Sequence, residues 1–174
     1  MVDVARTLAV SHGSVYRHFA SKAALRDAVV ERWLAEVTVP LAAIAAATGP
    51  AQERLPRWLN TLVQFKQRRA IDDPELFATY LVLADEARAV VLAHVDTLVA
   101  QLAQIVAAGV AEGVFNAADP RVTARAIFDA TSRFHNPSHA AEWSNPGVDQ
   151  AFAALRTLLL RGLGVTTIDE NSHG

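Results

Sequence analysis

Residues 10–25 read V-S-H-G-S-V-Y-R-H-F-A-S-K-A-A-L, and this stretch narrows the possible folds more than any other part of the chain. Just before it, Val4 and Leu8 stand at i and i+4, the spacing of one apolar helix face, so the pattern predicts a short helix over 2–9. Ser11 is a good N-cap at the following turn, and Val15 and Phe19 give a second short helix its own apolar face. His12, Gly13, Ser14, Tyr16, Arg17 and His18 are then left facing outward. A second helix carrying hydrogen-bond donors for base edges and phosphates is what reading of a DNA major groove requires. Ser21 caps the next helix. Lys22 falls in its first turn, where the helix dipole disfavours a cation and a phosphate partner would explain one.

Ser11, Gly13, Ser14, Val15, Tyr16, His18, Phe19, Ser21, Lys22 and Leu25 match the pattern S-x-G-[ST]-[LV]-Y-x-[HY]-F-x-[SN]-K-x-x-L position by position. The block resembles the TetR family of transcriptional regulators. That resemblance implies a three-helix DNA-binding head, followed by an all-helical domain that binds a small-molecule effector and forms a homodimer. It places His12, Gly13, Ser14, Tyr16, Arg17 and His18 on the recognition helix over a double-stranded operator, with Tyr16 and Lys22 on phosphates. Family members carry a further helix ahead of the motif, whereas here Met1 stands near the capping position of the first helix of the pair. Each apolar side chain left uncovered forgoes about 1.5–3 kcal/mol of burial, so such a head is expected to be loose. Two expectations follow: Met1 is not the native start, which is preferred, or the chain is a dimeric small-molecule-binding module that has lost DNA binding through truncation.

The remainder reads as helices separated by short breaks, so the expected fold class is all-α. A truncated helix-turn-helix head and connecting helix occupy 1–38, and a helical-bundle domain for effector binding and dimerisation occupies 39–174. Leu25, Val29 and Trp33 predict a connecting helix from Ser21 that ends near Pro40. Further helices are predicted over 51–70, with Pro56 pushing the start a little later, and over 75–83 after Asp73-Pro74. Others are predicted over 86–112, from Asp119-Pro120 to Phe134, and over 148–163. A Pro/Asn/Ser/His-rich connector spans 135–147.

Net charge is −2, a balance that argues weakly against nucleic acid until it is divided along the chain. Residues 1–34 carry five Lys/Arg against three acids, and the rest carries eleven against fifteen, so the positive end coincides with the motif. With no cysteine, thiolate metal sites and disulfides are excluded, and a cytoplasmic location is expected. No uninterrupted apolar run approaches the length of a membrane span, so no membrane partner is expected.

No H-E-x-x-H, Gly-rich phosphate loop or G-x-S-x-G is present, so neither a catalytic residue nor a cofactor is assigned. His135 and His139 share the i, i+4 spacing of a helical metal pair, but Pro137 lies between them and favours a polar hinge; no metal is assigned. Trp58, Phe65, Phe77, Tyr80 and His94 are the candidate effector-lining residues, with Gln64 and Arg133 as further polar groups. Ordinary core is the plainer reading of the aromatics, but Tyr80 and His94 are costly on a dry face unless something partners them. A small, largely apolar effector is therefore expected. The stripes on 122–134 and 148–163 are expected to form a four-helix dimer interface, although they could equally close the monomer's own core.

Overall fold

The computed structural model describes residues 19–164. His12, Gly13, Ser14, Tyr16, Arg17 and His18 lie outside the described residues, as do residues 165–174. Helix α1 (Lys22–Ala46) starts at the expected cap, with Ser21 Oγ accepting from Ala24 N at 3.1 Å, and Lys22 stands exposed in the first turn. It is followed by α2 (Ala51–Asp72), α3 (Pro74–Glu86), α4 (Arg88–Ala111), α5 (Pro120–Ala130), α6 (Ser132–His135), a 3-10 turn (Pro137–Glu142) and α7 (Val148–Gly162). Among the described residues there is no strand, and the fold is all-α.

Helix α1 does not end at Pro40. Although proline removes one backbone donor from the helix ladder, Val37, Leu41 and Ala45 are all fully buried and hold both sides of it against α2 and α4. Gln101 Nε2 on α4 also donates to Thr38 O at 3.2 Å, close to the weakened turn. Helix α2 likewise keeps its first turn despite Pro56. Pro50 offers no side-chain cap, and the Glu112 carboxylate accepts from Ala51 N at 2.8 Å and takes Arg54 at 3.4 Å. Asp73 and Asp119 cap α3 and α5, each followed by proline at the position where a missing N–H is harmless. The helix expected to run from Pro120 to Phe134 breaks at Thr131, whose hydroxyl bonds back to Ile127 O at 2.9 Å. Part of the connector after it winds into the 3-10 turn and buries Trp143, whose indole donates to Arg133 O at 2.9 Å.

Two apolar clusters result. The larger joins the second half of α1 to α2, α4, α5 and Phe152 of α7. The smaller contains Val30 and Leu34 from the first half of α1, Phe77 and Tyr80 from α3, and Trp143. Helix α4 contains an 18-residue window of mean hydropathy 1.6, so by length and composition it could cross a membrane. Polar residues interrupt every apolar run within it, so no uninterrupted run of that length is present. In the fold, α4 is packed by α1, α2 and α5, and its buried Gln101 is hydrogen-bonded on both sides.

Candidate functional site

A cleft of about 690 Å³, open on one side, lies between α3, α4, α5 and α6, with Lys66 reaching it from α2. That volume falls in the usual range for small-molecule sites. Its apolar wall includes Leu81, Val91, Leu92, Val95 and Phe128. The deeper polar groups are Lys66, Tyr80, His94 and His135, while Asp85, Arg88, Asp96, Arg125 and Asp129 are exposed at the rim.

Hydrogen bonding fixes the state of both imidazoles. The Thr38 hydroxyl donates to Leu34 O at 2.8 Å, so at its 3.1 Å contact with His94 Nδ1 the ring must donate. His94 Nε2 is then a bare acceptor, buried and without a partner. His135 Nε2 lies 3.2 Å from Phe128 O, which can only accept, so His135 carries its proton on Nε2 and leaves Nδ1 as the acceptor. Burial, reinforced by the nearby Lys66 charge and by His135, pushes His94 down to about 3. Burial also lowers His135 to about 4, with Lys66 again adding to the effect. Both rings are neutral near pH 7. Burial lowers the Lys66 ammonium to about 8 although part of the side chain remains exposed, and it raises Tyr80 to about 12.

The cleft is joined directly to α1. His94 is tied to Thr38, and Tyr80 stacks on Trp33 with ring centroids 4.5 Å apart. Gln101 extends the link inward, donating to Thr38 O and accepting from the Trp58 indole at 3.1 Å.

Of the five candidate lining residues, Tyr80 and His94 are on the cleft wall. Trp58 is fully buried in the larger cluster. Phe65 borders a separate shallow depression with Gln64, and Phe77 packs between Tyr80 and Trp143. Arg133 pairs with Glu142 at 2.8 Å outside the cleft. His135 and His139 go to different partners: His139 Nδ1 lies 2.9 Å from Glu142, which also holds Arg133. Among the described residues no three His, Asp or Glu side chains come together as a metal site. Lys66 was not singled out from the sequence. Its signal was present: Leu55, Leu59, Leu62 and Lys66 continue one helical stripe, so a charge stands where the core face should run on.

Residues 1–29 match the family model described as bacterial regulatory proteins, tetR family, and residues 51–156 match the tetracyclin repressor-like C-terminal domain. The chain belongs to the TetR family. No curated protein sequence matches it. The two TetR models leave out residues 30–50, most of α1, which therefore connects the DNA-binding segment to the body that carries the cleft.

Proposed function

We propose that this chain is a homodimeric transcriptional repressor, acting in the cytoplasm, whose grip on an operator is released by a small effector in the cleft. The observation that carries this reading is the contact of His94 and Tyr80, both cleft residues, with Thr38 and Trp33 of the connecting helix. An effector that repositions either side chain acts on α1 without an intermediary. Two recognition helices must meet half-sites about 34–36 Å apart, so a small displacement of α1 in each protomer weakens simultaneous engagement. The cleft's apolar wall suits an effector with a mostly apolar body. The proposed division of labour assigns 1–38 to the DNA head and connecting helix and 39–174 to effector binding and dimerisation, the boundary falling within α1.

For the dimer, α5 and α7 offer an unpartnered apolar face: Val122 is 65% exposed and Leu158 is 66% exposed. Phe152 is the one fully buried residue of α7 among those described; Val148, Leu155, Leu159 and Leu160 lean partly on the larger cluster, and Leu158 is left pointing away from it, free to pack on a symmetry mate. Leu158→Glu is expected to yield folded monomers at micromolar concentration by sedimentation, where the unaltered chain is dimeric.

A gel shift with the DNA upstream of the chain's own coding region tests the whole reading. Specific retardation is expected, and its absence would leave only the effector-binding module. If Tyr16 and Lys22 hold phosphates while His12, Ser14 and Arg17 face the groove, Lys22→Ala weakens all sequences alike and flattens the salt dependence. Arg17→Ala instead alters preference among sites. Equal binding by both variants and the unaltered chain would remove the recognition-helix assignment.

A further inference from the structure

We propose that the molecule this cleft takes is a small organic anion: its anionic oxygen sits against Lys66, and a hydroxyl or N–H elsewhere on it donates to His94 Nε2. The inference deepens the effector reading above and rests on it for its regulatory meaning, but the chemistry is argued from the cleft alone.

The charges of the cleft sort into two layers. At the rim, Arg88 pairs with Asp85 at 3.2 Å and Arg125 with Asp129 at 2.9 Å, so these charges largely cancel. Asp96 is at the exposed rim, in contact with bulk water. Deeper in, Lys66 has no ion pair or hydrogen bond among the described residues, and the neutral imidazoles beside it offer it no counter-charge. A cation drawn partly out of water without a counter-charge is an unfavourable arrangement that an incoming anion relieves. Its lowered pKa has the same physical origin.

His94 supplies the second demand. Its Nδ1–H is committed to Thr38, so Nε2 can only accept, and in the structure it accepts from nothing. A buried acceptor left unpaired is costly, and a ligand donor removes that cost. The ring resists protonation, so it does not turn into a donor near neutral pH. A metal cation would be the other taker for bare imidazole nitrogens. The described residues bring no third His, Asp or Glu ligand to them, and the Lys66 charge repels a cation. The leftover groups are therefore one cation and one acceptor under an apolar wall, complementary to an amphiphilic carboxylate or ionised phenol bearing a donor.

Three probes separate the two demands: 6-hydroxy-2-naphthoate, its 6-methoxy analogue, which lacks the donor, and 6-hydroxy-2-naphthamide, which lacks the charge. Binding is read at pH 7 by ligand fluorescence and thermal shift on the full chain. The hydroxynaphthoate is expected to bind about tenfold more tightly than the amide, the scale of one charge-assisted hydrogen bond. Lys66→Met is expected to erase that preference and Lys66→Arg to keep it. His94→Phe is expected to erase the smaller preference for hydroxyl over methoxy while leaving the carboxylate preference in place. Melting curves establish that each variant is folded, and because Lys66→Met removes a half-buried, unpaired charge it is not expected to unfold the chain. Equal or tighter binding of the amide, a carboxylate preference that survives Lys66→Met, or no binding of any probe would each overturn the proposal. A gel shift with the same probes keeps the two readings apart. Anion binding that leaves DNA affinity unchanged upholds the cleft chemistry and defeats the effector reading. Release of DNA by the amide alone does the reverse.

Discussion

The two halves of α1 have different surroundings, although one continuous helix contains both. From Val37 to Ala45 it is embedded in the larger cluster, against α2 and α4, with aliphatic side chains and the Gln101 bond beside Pro40. From Val30 to Leu34 it lies on the smaller aromatic cluster, whose Tyr80 also faces the cleft. Arg69 clamps the junction, pairing with Glu36 and lying over the Trp33 and Phe65 rings at 5.3 and 5.4 Å. On the proposed function, the second half is an anchor and the first half a lever. A change at the cleft then acts on the half of α1 that touches Tyr80, the half that continues toward the N-terminal family-model match.

The largest test applies one truncation to both halves. Leu41 is fully buried and Leu34 is 3% exposed, so Leu→Ala removes the same atoms at either place. In the larger cluster the surroundings are tightly interlocked and the cavity stays open, so Leu41→Ala should cost about 3–5 kcal/mol in urea unfolding. Leu34→Ala should cost about 2–3 kcal/mol, because the smaller cluster, beside an open cleft, can collapse into the gap. Equal costs would remove the distinction between anchor and lever.

Acid gives the next largest effect, and it belongs to the cleft side. His135 is 4% exposed, with its pKa lowered by burial from 6.5 to about 4. Between those values the unfolded chain takes up a proton that the folded chain refuses, so stability falls as pH drops. Over the full window the loss approaches about 3 kcal/mol, and below it this contribution is constant. His94 acts in the same direction but is only half-buried, so solvent screening reduces its share. Lys66, lowered from 10.5 to about 8, makes stability rise with pH between those two values by the same reasoning. Urea titrations at pH 7 and pH 4.5 should show the acid loss, and His135→Leu should flatten it. An unchanged slope in that variant would assign the acid sensitivity to another group.

How much of this was legible in the sequence depends on whether the deciding interactions are local. The helix starts at Ser21, Asp73 and Asp119 were readable because a cap acts within three residues of itself. The continuation of α1 through Pro40 was not, because its support comes from other helices, which bury Val37, Leu41 and Ala45 on both sides of the proline. The break at Thr131 was missed for a related reason: threonine is tolerated within helices, and its bond back to Ile127 O gave no separate mark in the sequence. In the cleft, Tyr80 and His94 stood out as polar groups on apolar stripes. Trp58 and Phe65 were grouped with them as aromatics on neighbouring helices, but Trp58 is buried in the core and Phe65 lies under Arg69 at another surface. The cleft is completed by α5 and α6, far along the chain from α3, and no periodicity within one helix reports which distant helix will face it.

The smallest change concerns a single atom, and it tests the lever most directly. Thr38→Val keeps the shape of the side chain and removes the oxygen that accepts from His94 Nδ1. The expected loss of stability is about 1 kcal/mol, typical of one hydrogen bond and well below that of either leucine truncation. With Nδ1 freed, the preference for hydroxyl over methoxy should weaken, while Lys66 keeps most of the affinity for 6-hydroxy-2-naphthoate. Its effect on operator affinity should shrink, because one of the two contacts joining cleft to α1 is gone while the Tyr80–Trp33 stack remains. Effector and operator influence each other equally, so the same reduction should appear when operator DNA is titrated and ligand affinity is read. Trp33→Leu in the Thr38→Val background removes the second contact, and little coupling should survive it. If the double variant still releases DNA at the original ligand concentration, α1 is not the connection, and the uneven seating of its two halves has another cause.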